Sequence, residues 1–154
     1  MVQALFANQR ESNLASTLAL VEGVLGELGH DPAGCRIDST ALHEWRIAKG
    51  SAVAHVALVD RTEFTHFRVC AIVMTLDDKV DRAALHAHLL AQNAQLCGVA
   101  FATEDDRVIL VAERSTLDLD RSEIRNVIAR VTTDADDHDD ALVAKFGGTR
   151  GAVT

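Results

Sequence analysis

Residues 81–114 constrain this chain more than any other stretch, because they hold an amphipathic helix that runs directly into an all-apolar β-hairpin. Leu85, Leu89 and Leu96 fall on one helical stripe with Leu90 beside it, and Asp81 stands at the start as an N-cap. The spacing therefore predicts a helix from Asp81 to about Gln95. Gly98 opens the hairpin, whose strands 99–103 and 108–112 flank the acidic turn Glu104-Asp105-Asp106-Arg107. Alternation puts Val99, Phe101, Val108 and Leu110 on one face and Ala100, Ala102, Ile109 and Val111 on the other. Since both faces are apolar, both are expected to be covered.

Before this stretch, Leu14, Leu18, Val21, Leu25 and Leu28 follow 4-3-4-3 spacing, which predicts a helix over 12–28 with Ser12 as N-cap and Gly29 beyond its end. Three short runs follow at 42–48, 52–59 and 64–75, punctuated by Gly50-Ser51 and by Asp60-Arg61-Thr62-Glu63, and they read as an antiparallel meander. A four-residue second turn sets Val59 opposite Phe64 and Val56 opposite Phe67. One face then collects Ala54, Val56, Leu58, Phe67, Val69, Ala71 and Val73. The other carries His55, His66 and Arg68 at one end and Val53, Cys70, Ile72 and Met74 at the other, an apolar end that needs a cover.

After the hairpin, Asp120-Arg-Ser-Glu123 is a capping box, and Ile124, Ile128, Val131, Ala135, His138 and Leu142 carry a helical stripe to Gly147-Gly148. With no Gly or Pro inside, a helix of about 26 residues would be roughly 39 Å long; Thr132-Thr133 is the one place where a break could fall. The order α-βββ-α-ββ-α defines an α+β class with a five-stranded, mostly antiparallel sheet. The length of 154 residues and the single Pro suggest one domain over 1–154.

A formal charge of −8 and the lack of a Lys/Arg cluster argue against nucleic acid as a partner. No apolar run is long enough for a membrane span, and Arg10 and Glu11 interrupt any signal-like stretch, so the expected setting is cytoplasmic. Cys35, Cys70 and Cys97 are odd in number and widely spaced, which suits free thiols in a reducing compartment.

The residues that could carry chemistry have stronger structural readings. The acidic run Asp134, Asp136, Asp137, Asp139 and Asp140 lacks the turns and glycine of a calcium loop and reads as a solvated helix face, Asp139 pointing away from Asp136 and Asp140. His55 and His66 become diagonal neighbours, with Arg68 opposite His55 repelling a cation. Cys70 lies diagonal to His55, a conceivable nucleophile pair with no orienting third group. No metal site is therefore expected. Gly147, Gly148 and Gly151 do not make a phosphate loop, lacking a strand before and a helix after. Trp45, the only Trp, suits either a core position or a contact anchor.

Leu89-Leu90-Ala-Gln-Asn93, Gly98-Val-Ala-Phe-Ala102, Glu104-Asp-Asp106, Val108-Ile-Leu-Val111 and Leu117-Asp-Leu-Asp120 resemble the YbjN family. Trp45 with Gly50-Ser51 and the following hairpin extends the likeness over roughly residues 12–146. That family is similar in fold to the class I chaperones of type III secretion. The resemblance implies the same α-βββ-α-ββ-α fold and an acidic cytoplasmic homodimer that binds protein segments, without cofactor or catalytic residues.

The functional expectation is thus a non-enzymatic, chaperone-like module for an unidentified client protein or peptide. Leu14, Leu18, Val21, Leu25 and Trp45 are its expected partner-binding residues. Leu85, Leu89, Leu90, Ile72 and Met74 are expected at a homodimer interface, with the second long helix covering the outer end of the sheet. The competing reading is a small-molecule or regulatory site around His55, His66 and Cys70.

Overall fold

The computed structural model describes residues 2–62 and 64–151, with side chains from residue 9 onward. The chain runs α1 (Val2–Glu27), α2 (Pro32–Cys35), β1 (His43–Lys49), β2 (Ala52–Asp60), β3 (Thr65–Thr75), α3 (Arg82–Asn93), β4 (Ala100–Glu104), β5 (Arg107–Ser115), α4 (Arg121–Phe146) and β6 (Thr149–Arg150). The α-βββ-α-ββ-α order stands, with a four-residue α2 and a two-residue β6 added to it.

The sheet is antiparallel in the order β1-β2-β3-β5-β4, with β6 pairing β3 beyond the start of β2. Ala54, Val56, Leu58, Phe67, Val69, Ala71 and Val73 are all fully buried, as alternation predicts. The register of β2 against β3 differs from the expected one: Val56 faces Val69 and Leu58 faces Phe67. The shift is two residues, because Asp60 pairs Thr65 and tightens the turn, with Arg61 N–H donating to the Phe64 carbonyl. An even shift leaves every side chain on its predicted face. It does move His55 opposite Cys70 and Arg68 opposite Ala57.

Met74 does not lie outward beside Ile72. The β3–β5 ladder shifts between Ile72 and Met74, so β3 carries one extra residue there. That bulge turns Met74 to the core face, opposite Val108, where it is fully buried.

The helices form one layer. Val21, Val24 and Leu25 of α1, Leu85 and Leu89 of α3, and Ile124, Ile128, Val131, Ala135 and Leu142 of α4 share a single core cluster with the inner face of the sheet. The second long helix therefore covers the β4 end of that inner face and not the outer end. Phe101 of β4 is buried on that same face, and its ring packs edge-on against His138 of α4, 5.4 Å between ring centres. The outer face of the hairpin is only half covered, apart from the buried Ile109.

α1 begins at Val2, well before Ser12, which lies within the helix. Asn13 fixes it to the sheet, with its side chain meeting the Thr116 backbone carbonyl and hydroxyl at 3.4 and 2.7 Å. Its C-terminal end is tied to α4 by Glu27, which pairs with Arg121 and Arg125. α4 has the predicted capping box at Asp120 and Glu123 and runs unbroken for 26 residues. Thr132 causes no break because its hydroxyl donates to the Ile128 carbonyl at 2.9 Å. Asp139 does not point to solvent: it is buried beneath the β1–β2 turn and accepts from the Ser51 hydroxyl at 3.1 Å. Past Gly147 the chain folds onto β3 so closely that a Cβ on Gly148 or Gly151 would overlap the carbonyl of Thr75 or Ile72.

Candidate functional site

Three surfaces stand out among the described residues. The first lies on the helix side at the β1 edge. The β1–β2 hairpin pairs Lys49 with Ala52, so antiparallel alternation turns the backbone groups of Glu44, Arg46 and Ala48 toward the edge. Ile37 N–H donates to the Glu44 carbonyl at 3.0 Å, and an Arg36–Trp45 bridge covers that part of the strand. Past the bridge the edge is bare, and among the described residues nothing bonds the backbone of Ala48. Beside it opens a groove of about 200 Å³. Leu28, Ile47, Ala48, Ile128 and Ala129 give it an apolar lining, with His30 and Lys49 among the polar ones.

The second surface is the outward side of α3. Ala83, Ala84, His86, Ala87, Leu90, Ala91 and Ala94 are exposed, and the run from Ala83 to Gln95 contains no Lys, Arg, Asp or Glu. A solvated helix face normally carries such charges. Leu90 is 70% exposed and borders a groove of about 220 Å³ against Phe101 and Thr103 of β4.

The third is the outer sheet face, where a cavity of about 550 Å³ is lined by Glu44, His55, Arg68, Cys70 and Glu104 among others. Its charges are already matched. His55 Nδ1 meets Glu44 at 2.8 Å, and Arg68 donates to Glu104 at 2.8 Å and to Glu113 at 3.2 Å. Arg61 grips Glu113 with two bonds of 2.6 and 2.7 Å, and His66 lies 3.2 Å from the same carboxylate. The bidentate Arg61 pair, aided by Arg68, holds the Glu113 pKa down at about 2 against the opposing effect of burial. Cys70 is pushed the other way: burial raises its thiol pKa, which disfavours the thiolate a nucleophile needs. The His55–Cys70 pair thus meets across the ladder without the electrostatics that would activate it.

The residues expected to bind a partner divide in two. Val21, Leu25 and Trp45 are fully buried within the chain itself, so none presents a surface. Leu14 and Leu18 are half-buried against that core. Trp45 lies under a guanidinium, Arg36, 5.7 Å from the ring centre. Of the residues expected at a dimer contact, Leu85, Leu89 and Met74 are core, Ile72 is half-buried on the outer sheet face, and Leu90 alone projects into solvent. The charge-free face of α3 and the Leu28 groove were not singled out from the sequence. The first was readable there, as a helical segment of Ala, His, Leu and Gln without a charged residue. The second was not, because it depends on how α1, α4 and β1 meet.

Several solved structures share this fold, some of them complexes of type III secretion chaperones. The chain has the same fold as a chain of the ExsC–ExsE complex, with a TM-score of 0.62 at 13% identity over 83% of this chain and 94% of that one. It matches the HopA1–SchA chaperone–effector complex with a TM-score of 0.60 at 10% identity, over 84% and 97% of the two chains. The Yersinia pestis type III secretion chaperone SycH, solved with a fragment of YscM2, gives 0.53 at 18% identity over 77% and 96%. No curated protein matches by sequence. Residues 15–153 match the profile of the family described as T3SS (YopN, CesT) and YbjN peptide-binding chaperone 1, TY-Chap1, and the chain belongs to that family.

Proposed function

We propose that this protein is a non-enzymatic, single-domain chaperone that acts as a homodimer and holds an extended, aliphatic segment of a client protein at the β1 edge. The observation that carries the reading is the apolar groove beside the bare backbone of Ala48. An added strand gains main-chain bonds from an open edge, while a pocket for alternate side chains supplies preference. The groove between Leu28, Ile47 and Ile128 has room for one branched aliphatic side chain, and the family's peptide-binding description supports the same use.

The dimer is proposed through α3, where Leu90 and the exposed alanines of each copy would meet about a two-fold axis. No described helix is long and apolar enough to cross a membrane, and Cys35, Cys70 and Cys97 are free thiols, which supports a cytoplasmic setting.

Selection from a displayed library of random peptides tests the client reading. Binders rich in Leu, Ile or Val are expected, and their affinity should fall at least tenfold for Ala129→Glu, which puts a carboxylate into the groove. Binders that ignore Ala129→Glu would remove the groove from the account.

A further inference from the structure

The far edge of the sheet, at β4, is short and differs from β1 in one respect. Glu104 pairs with Arg107 at the hairpin turn, so Ala102 and Ala100 bond to β5 while Phe101 and Thr103 turn their backbone groups outward. A five-residue strand therefore offers an incoming strand just two residues. Asn93, the last residue of α3, occupies one of them. Its Oδ1 accepts from Phe101 N–H at 2.7 Å and its Nδ2 donates to the Phe101 carbonyl at 3.1 Å. The carboxamide makes the two bonds that a neighbouring strand would make, and Thr103 is left as a single isolated position.

We infer that Asn93 is a specificity-determining residue that shuts the β4 edge against strand addition by a second copy of this chain. An open sheet edge is a template for self-pairing, and natural sheets cover or interrupt such edges. Here the interruption comes from one side chain at the end of the same helix whose outward face is uncharged. Two copies brought together along α3 would hold their β4 strands near each other, where an open edge would pair and continue into chains. With Asn93 in place, contact through α3 stops at the helices. The inference does not depend on what binds at β1.

Hydrogen exchange on the intact wild-type chain reads the bond directly: the Phe101 amide should exchange much more slowly than the Thr103 amide. Equal, fast exchange at both positions would overturn the inference. In light scattering across micromolar to millimolar concentration, Asn93→Ala should show masses above the wild type that grow with concentration. Adding Thr103→Pro, which removes one of the two N–H groups then open and obstructs an incoming strand, should return the wild-type mass. A role limited to anchoring α3 predicts a lower Tm with unchanged mass, and that result, or extra mass that persists with Thr103→Pro, also overturns it. If Asn93→Ala does not fold, Asn93→Asp, which keeps the acceptor and loses the donor to the carbonyl, is read in the same way.

Discussion

Leu89 and Leu90 are neighbours on α3, yet Leu89 is 4% exposed and Leu90 70% exposed. One helix thus has an apolar side in the core and a second apolar side facing out. The two should respond to substitution in opposite ways. Leu89→Ala removes core contacts and is expected to cost about 2–5 kcal/mol in denaturant unfolding without changing the assembly state of the folded protein. Leu90→Asp should leave the protomer's stability nearly unchanged and convert a dimer to a monomer in light scattering. A wild type that is monomeric at micromolar concentration would remove the α3 contact from the account.

Glu113 sets an acid limit on the outer sheet face. Its folded-state pKa of about 2 lies below the ordinary value of 4.5, so its contribution to stability is full above that ordinary value and disappears as the pH falls toward 2. The size of the shift corresponds to about 3 kcal/mol at most. Solvent screening of Arg61, nearly half exposed, reduces that to ~1–2 kcal/mol. Wild type should therefore lose this much more stability than Glu113→Gln between neutral pH and pH 2. Parallel unfolding curves for the two proteins across that window would contradict the Arg61–Glu113 pairing.

Cys97 is exposed, whereas Cys70 is half-buried on the outer sheet face with its thiol pKa raised by burial. A thiol reagent added to native protein should modify Cys97 rapidly and Cys70 much more slowly. Rapid modification of Cys70, assigned by peptide mass, would revive a chemical role for the His55–Cys70 pair.

Much of this fold was legible because its strong signals are local. The Asp120–Glu123 capping box, the Asp81 cap and the alternation of β2 and β3 each depend on residues close in sequence, and each appears where the pattern puts it. Even the wrong β2–β3 register kept the right faces, because the error was two residues. Apart from the Ser12 cap, which α1 overruns from Val2, what failed depended on long-range packing. The bulge beside Met74 is set by β5, and the burial of Asp139 by the Ser51 turn. α3 lies on the side of the sheet where Phe101 is buried, and nothing in residues 81–95 alone could say which side that is. Trp45, Val21 and Leu25 illustrate the same limit for function: an apolar stripe looks alike whether a core or a client covers it.

The central claim, a client strand at the β1 edge, is tested most directly by amide exchange of the full chain with and without a saturating selected peptide. New protection is expected at Ala48, with shifts at the methyl groups of Leu28 and Ile128 and no change at His55 or Arg68. Protection that appears instead across the outer sheet face, with Ala48 exchanging as in the free protein, would contradict it.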